Sequence, residues 1–568
     1  MVWFTRPRRP VDLDEILPDL SNLPAFDHGR LEGKRELPIG DRNLVAVLGV
    51  FFIILAAFLW QIYSLQIVRG AEFARTALNN SVERVVIIAE RGVIYDRHGE
   101  LLAWNVVDPQ GEYDFPIRAY IDNPGVSHVL GYVNYPQRDR HGFFHRTDYV
   151  GRSGVEAAYD EALRGENGSK IVVVDALHGV AGEHVIEPPR AGSELSLSVD
   201  AKLSRALYDI IATSSAQAGF RSGAGAIMDV KTGELIAITS FPAYDPEVMA
   251  SGRDAAAIAA YNADERFPFL NKVTSGAYAP GSVVKPLVAY AALSEGVVDP
   301  YKTFVSTGEL IVNNPYNPDQ PSRFSDWRAH GAVDMRRAIA FSSNVYFYII
   351  GGGHGAMRGL GITKLAEHYR RFGLGSVTGS DLGSELPGVV PDPAWKRRIF
   401  NDSWRLGDTY LTSIGQFGFT ATPLQILRAY AALGNGGRLL NPHVVKGAIS
   451  PAIEIGLDPE HLRAIREGMR MAVTTDGGTA RALEHAEIAV AAKSGTAEVG
   501  EGNAFVNSWA AGFFPYESPR YAFVIMMDHA PRANMLGATR VMGDVISWMA
   551  EHRPEYFKSV GEEKRVDI

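Results

Sequence analysis

From Asn43 to Val68 the chain runs without a charged residue, NLVAVLGVFFIILAAFLWQIYSLQIV. At about 1.5 Å per residue, a helix of this length crosses a bilayer core of about 30 Å. Trp60 and Tyr63 lie near its far end, where amphipathic rings favour the membrane interface. The run is too long for the apolar part of a secretory leader, and no small-residue cleavage site follows it. The pattern predicts a tail over 1–42 and a single membrane anchor over 43–68. Arg30, Lys34, Arg35 and Arg42 precede the span, and Arg69, Arg75 and Arg84 follow it, which favours a cytoplasmic N-terminus by a small margin.

Beyond the anchor the periodicity changes twice. Residues 69–195 carry short β-like runs, as in RVVIIAERGVIYDRHGELLAWN, where Asp-Arg-His-Gly predicts a turn between strands. GVEAAYDEAL has helical spacing at Val155, Ala158, Tyr159 and Leu163 and should stop at Gly165. VIEPPRAGSELSLSVD is read as a linker, with a domain boundary near 195. From 196 to 555 the pattern becomes mixed α/β. LSRALYDIIATSSAQ predicts an amphipathic helix, GAGAIMDVKTGELIAITS two strands about a turn, and VVKPLVAYAALSEG a helix ending at Gly296. DMRRAIAFSSNVYFYIIGG and TPLQILRAYAALGNGG predict further helices. AEIAVAAKSGTAEVG, NSWAAGFFP and YAFVIMMDHA predict returning strands, and TRVMGDVISWMAEH a last helix before a tail over 556–568. Strands, then helices, then strands imply one mainly antiparallel sheet with helices packed on it.

Composition narrows the chemistry. The 568 residues are 46% hydrophobic and 21% charged, which is globular. A net charge of −9 argues against nucleic acid as a partner. The absence of cysteine excludes disulfides, a thiol nucleophile and thiolate metal sites.

The candidate chemistry begins in YAPGSVVKPL, where Ser282 and Lys285 are one helical turn apart. Pro280-Gly281 breaks the preceding chain, and Pro286 is tolerated only in a first turn, so the helix should start near Ser282. Its N-terminus then brings backbone N–H groups and positive potential to the hydroxyl. Lys285 serves as a base only when neutral; burial and a neighbouring cation both favour that form, so this chemistry demands a second cation nearby and hydrogen-bonding groups to hold the lysine. Ser342, Ser343 and Asn344 follow in AFSSNVYFY, and Lys493, Ser494, Gly495 and Thr496 in AAKSGTAEV. Lys231-Thr232-Gly233 also spells a K-T-G, but it precedes the serine and lies between two apolar runs, where it predicts a hairpin turn.

The order S-x-x-K, S-x-N, K-[ST]-G resembles the motif set of serine penicillin-binding proteins and β-lactamases. RGVIYDRHGELLAWN, HVLGYV, GRSGVEAAYDEALRGENG, FSDW, FGLGSVTGSDLGSELPG and WRLGDTYLTSIGQFGFTATPLQ extend the resemblance to class B penicillin-binding proteins over about 65–568. WRLGDT and GAYAPGS favour the elongation type over the septal type. The resemblance implies a pedestal, resembling the family's dimerisation domain, over 69–195 and a transpeptidase domain over 196–555. The segment between LLAWN and HVLGYV is short for the family, which implies a reduced head.

By the same resemblance Ser282 is the nucleophile and Lys285 its base. Ser342 and Asn344 relay protons and hold the lysine, and Lys493 supplies positive potential. Ser494, Gly495 and Thr496 bind substrate, with the N–H groups of Ser282 and Thr496 as oxyanion hole. The substrate implied is the D-Ala-D-Ala end of a peptidoglycan stem pentapeptide, and β-lactams would acylate the same serine. Implied partners are a RodA-type glycosyltransferase and an MreC-like scaffold, at the bacterial inner membrane with the catalytic domain in the periplasm. No cofactor is implied. Some relatives carry zinc on two aspartates, a histidine and a cysteine. Here only Asp326 and His330 have counterparts and Ser343 stands at the cysteine position, so no metal is expected and the pair is read as ordinary polar loop residues. A β-lactamase would be shorter and secreted, and a β-lactam sensor would have several spans. A septal transpeptidase, or a mainly non-catalytic activator of the glycosyltransferase, are the other readings.

Overall fold

The computed structural model describes residues 40–557 except 81, 141–143, 175–179, 315, 316, 318 and 535. The tails expected over 1–42 and 556–568 lie almost wholly outside the described residues. Two compact units are present. One is the chain up to Glu83 with Val172–Gly182, and the other is Arg84–Ile171 with Glu183 onward.

In the first unit the apolar run forms the helix Asp41–Tyr63, extended by a wider turn over Ser64–Val68. Asp41–Val68 spans 28 residues with a mean hydropathy of 2.6, and no side chain of it is buried in the protein. It is long and apolar enough to cross a membrane. Among the described residues none covers its apolar surface, as expected of a segment whose solvent is lipid.

The second unit begins with a small sheet. β1 (Ile94–Tyr95), β2 (Leu101–Val106) and β3 (Ile117–Tyr120) form an antiparallel meander, and β4 (Leu195–Ser196) adds in parallel beside β1. The Asp-Arg-His-Gly turn is where periodicity placed it. Asp96 Oδ1 accepts from the backbone N–H of His98 at 2.7 Å and of Glu100 at 2.8 Å. Glu156 is fully buried between two fully buried guanidiniums, 2.5 Å from Arg91 Nε and 2.8 Å from Arg118 Nε. GVEAAYDEAL forms two short helices, Gly154–Ala158 and Asp160–Arg164, rather than one. Tyr159 leaves helical geometry between them, and its hydroxyl donates to Asp381 at 2.9 Å. A long-range hydrogen bond here overrides local propensity.

The larger sheet has five antiparallel strands: β5 (Ser222–Asp229), β6 (Leu235–Phe241), β7 (Ala491–Val499), β8 (Phe505–Phe514) and β9 (Tyr521–Pro531), in the order β6-β5-β9-β8-β7. The fold is mixed α/β. Lys231-Thr232-Gly233 is the β5–β6 turn, its N–H groups at Lys231 and Thr232 donating to Asp229 Oδ1.

Both faces of the sheet are apolar. Ala224, Ala226, Val524, Met526, Trp509 and Ala511 face one core, which contains Leu287 and Val288 of α2 (Lys285–Ser294) and most of α5 (Pro423–Asn435). Their strand neighbours Ile227, Ile525, Met527 and Ala510 face a second core with Leu207 and Ile211 of α1 (Ala201–Ala218) and Val541 and Val545 of α6 (Ala538–His552). The two-residue period of a strand assigns alternate side chains to the two cores.

DMRRAIAFSSNVYFYIIGG is broken where one helix was expected. α3 (Met335–Phe341) ends at Ser342, which is left-handed at φ 58°, and α4 (Asn344–Gly352) starts from Ser343, whose side chain caps it. A non-glycine residue in that region costs of order 1 kcal/mol or more and needs surrounding structure to hold it.

Replacing Glu156 by Ala leaves two buried guanidiniums without their shared counter-charge. We expect a loss of about 3–5 kcal/mol, read as a lower apparent Tm of the detergent-solubilised chain by near-UV circular dichroism.

Candidate active site

Ser282 is carried by a tight turn, Gly281–Val284, that runs directly into α2 at Lys285. Pro286 sits in the first turn of α2, as its missing N–H requires. Ser282 is half-buried, while Val283, Val284 and Lys285 are buried. The turn is clamped from three sides. Gly281 N–H donates to Gly415 O at 3.0 Å, Trp509 Nε1 donates to Ala279 O at 3.0 Å, and the Tyr430 hydroxyl donates to Val283 O at 2.7 Å. Gly281 has φ +56°, and a Cβ there would lie 2.8 Å from Thr496 O, so only glycine lets the elbow touch β7.

The second motif reaches the lysine through the broken helix. Lys285 Nζ lies 2.8 Å from Ser342 O, 2.7 Å from Asn344 Oδ1 and 3.2 Å from Ser342 Oγ. The two shorter contacts are to oxygens that only accept. The third is to a hydroxyl, which can donate. A neutral amine fits this set, with two N–H groups on the two acceptors and its lone pair towards the hydroxyl. Phe347 places its ring 5.3 Å from Nζ. Burial pushes the pKa of Lys285 down from 10.5 to about 7, against the opposing pull of the Asp326 carboxylate.

The third motif arrives by sheet register. Lys493 pairs with Ala511 and Gly495 with Trp509, so both side-chain positions face the core that holds α2. β7 is the edge strand, so among the described residues no further strand pairs with its outer N–H and C=O groups. A Cβ at Gly495 would lie 2.9 Å from Val283 Cγ1 and 3.1 Å from Pro280 O. Lys493 is fully buried, and its Nζ donates to Ser494 O at 2.8 Å. Burial and then the charge of Lys285 hold its pKa well below 10.5. Ser494 is half-buried and Thr496 exposed. All eight residues singled out by sequence therefore lie around one site. The second cation expected to lower Lys285 does not do so: burial dominates at Lys285, and the cationic influence falls on Lys493.

Asp326 and His330 are not ordinary polar loop residues. Both side chains are fully buried, with His330 Nε2 3.5 Å from Asp326 Oδ1. Asp326 accepts from Ser343 Oγ at 2.8 Å, Ser306 Oγ at 3.1 Å, Asn344 N at 2.9 Å and Val345 N at 3.1 Å. Burial alone would raise its carboxyl. The N–H groups of Asn344 and Val345, then Lys285 and Ser343, outweigh burial and hold it below its usual range. Asp326 thereby fixes the start of α4, which carries Asn344. Among the described residues no third His, Asp or Glu joins the pair. The sequence signal for this role was slight: an acidic residue in a loop, 18 residues before the helix start it caps.

Two family models match the sequence. The penicillin binding protein transpeptidase domain matches residues 223–547, and the penicillin-binding protein dimerisation domain matches 112–197. The chain belongs to the penicillin-binding protein transpeptidase family. Peptidoglycan D,D-transpeptidase MrdA of Haemophilus influenzae is 27% identical over 614 residues, covering 90% of this chain and 91% of that protein. The MrdA protein of Escherichia coli K12 is 27% identical over 616 residues, with 90% and 93% coverage. The penicillin-binding protein (PBP2) of Helicobacter pylori, solved in complex with MreC, is 27% identical with a TM-score of 0.68, over 83% of this chain and 99% of that one. PBP2 of Pseudomonas aeruginosa, solved with WCK 5153, is 28% identical with a TM-score of 0.67, over 84% and 99%. These relatives resemble the chain across both the small sheet and the large one, as the motif order implied for this penicillin-binding protein.

If the amine of Lys285 must be neutral, acylation by penicillin should track its deprotonation. Below about pH 7 the neutral fraction falls tenfold per pH unit. We expect second-order acylation rates measured from pH 5 to 9 to rise with unit slope and level off above about 7. A rate still rising with unit slope at pH 9 would show that the amine keeps a pKa near its ordinary value of about 10.4 and is not desolvated.

Proposed function

We propose that this chain cross-links peptidoglycan during cell elongation through an acyl-enzyme on Ser282, with Lys285 as base. The peptidoglycan D,D-transpeptidase activity accords with the MrdA relatives, which match nearly the whole chain, and they do not favour the septal reading. The observation that carries the assignment of residues is the buried Lys285 amine, held by Ser342 and Asn344 one turn from the half-buried Ser282.

The steps follow from the geometry. Ser282 Oγ bonds to the penultimate D-Ala carbonyl carbon while its proton passes to Lys285, directly or through the Ser342 hydroxyl. The oxyanion is received by the N–H groups of Ser282 and Thr496, a reading supported by the close approach of the Gly281 elbow to Thr496 O. Such a donor pair is typically worth a few kcal/mol. The C–N bond to the terminal D-Ala breaks, and the held proton goes to the leaving amine. An amine of a second stem peptide then attacks the acyl carbon and its proton is taken by the same base; the ester C–Oγ bond breaks, the proton passes to Ser282 Oγ, and the serine is regenerated with the cross-link formed. Lys493, Ser494 and Thr496 bind the terminal carboxylate. An arriving carboxylate restores the charge on Lys493, and that charge in turn keeps Lys285 neutral. The substrate thus helps to set the proton inventory that its own reaction requires.

We place a cytoplasmic tail over 1–42, the anchor over 43–68, the pedestal over 69–195, the transpeptidase domain over 196–555 and a short tail over 556–568. The anchor would hold the enzyme in the bacterial inner membrane with the catalytic domain in the periplasm. A RodA-type glycosyltransferase and an MreC-like scaffold are the partners proposed, the second because the H. pylori relative was solved with MreC.

Ser282→Ala should abolish covalent labelling by a fluorescent penicillin and in-vitro cross-linking while leaving the melting profile intact. Peptide mapping of the labelled wild-type chain should find the adduct at Ser282, and an adduct at any other residue would overturn the assignment.

A further inference from the structure

Ser282 and β7 belong to different parts of the fold, so a contact between those parts has to set their spacing. Over residues 278–281, just before the serine, the backbone is tied mainly to the helical side. Tyr278 N donates to Ala421 O at 3.0 Å, Ala421 N donates to Tyr278 O at 2.9 Å, and Gly281 N donates to Gly415 O at 3.0 Å. Pro280 has no N–H to give. Among the described residues, one hydrogen bond joins this segment to the five-stranded sheet, from Trp509 Nε1 to Ala279 O at 3.0 Å. Trp509 is fully buried on β8, and its ring meets that of Tyr278 edge-on, with centroids 6.4 Å apart.

Both ends of the Trp509 side chain are fixed. Its backbone pairs with Gly495 of the third motif, next to Thr496. A Cβ at Gly495 would lie 3.0 Å from Trp509 Cβ, 2.9 Å from Val283 Cγ1 and 3.1 Å from Pro280 O, so strand, tryptophan and elbow meet at one point. From that point the indole reaches back to Ala279, three residues before Ser282. A buried, close-packed ring sits in one rotamer and transmits displacement instead of absorbing it. The proposed oxyanion donors, the N–H groups of Ser282 and Thr496, belong to the two parts that this ring joins. Such donors act only when both reach the same oxygen at about 2.7–3.1 Å. A small shift of the elbow therefore costs rate, while the groups on β7 that take the substrate carboxylate stay where they are.

We propose that Trp509 is a positioning residue for acyl transfer, its indole N–H holding the Ser282 elbow against the sheet at the separation the two oxyanion donors require. It touches no reacting atom and acts through Ala279. The inference rests on the transpeptidase reading and adds to it a residue outside the three motifs.

The test separates the dissociation constant of the reversible penicillin complex from the acylation rate constant in the full-length, detergent-solubilised enzyme. Two variants are compared with the wild type: Trp509→Phe, and a chain with 3-benzothienylalanine at 509, which keeps the shape of the indole and puts sulfur where the N–H was. We expect the acylation rate constant to fall about tenfold in both, the loss that one hydrogen bond to a buried carbonyl represents. The dissociation constant should stay within about twofold, and the pH inflection near 7 should not move. Should Trp509→Phe fail to fold, the benzothienyl chain decides. An acylation rate constant equal to that of the wild type, a loss that falls on the dissociation constant, or an inflection displaced towards the ordinary lysine value each overturns the proposal. Absence of penicillin labelling at Ser282 in the wild type would instead refute the transpeptidase reading itself.

Discussion

A primary amine taken out of water, with its pKa pushed down from 10.5 to about 7, is the constraint on which this molecule turns. Moving the pKa of Lys285 from 10.5 to about 7 corresponds to about 5 kcal/mol of differential solvation between its charged and neutral forms. That cost is of the order of the net stability of a typical domain. It is sustained because the amine is enclosed by a core on one side and by two fixed acceptors and a hydroxyl on the other. Those oxygens are fixed in turn by the strained Ser342 and by the Asp326 carboxylate, which anchors the start of α4.

The five-stranded sheet supplies the frame. With both faces apolar, a one-residue slip of β7 would turn Lys493 away from α2 and leave an ammonium in the opposite core. The pairing of Lys493 with Ala511 and of Gly495 with Trp509 therefore sets the chemistry as well as the fold. The same strand is at the sheet edge, the position at which extended peptides add by main-chain hydrogen bonds.

The small sheet repeats the theme of buried charge in a structural role. Arg91, Arg118 and Glu156 come from three separate segments and meet where none is exposed. Such a cluster contributes more to uniqueness of packing than to stability, since a charge so placed tolerates few alternative arrangements.

Much of this was determined by the sequence itself. An uncharged run of 26 residues from Asn43 to Val68 has few solutions other than a membrane helix. Short apolar runs in the β7, β8 and β9 segments marked them as strands, and Pro286 fixed the start of α2 to within a turn, because these signals are local and steric. The three motifs were legible as residue types in order. Tertiary structure decided the rest, since it depends on contacts between residues far apart in the chain. The break at Ser342 lies inside a stretch of good helical periodicity, and only the Asp326 carboxylate and the Lys285 amine, 16 and 57 residues away, make a broken helix the better solution. The split at Tyr159 answers to Asp381, 222 residues on. Periodicity cannot report a hydrogen bond of that reach. Nor can it report burial, which is what makes an ordinary lysine a base.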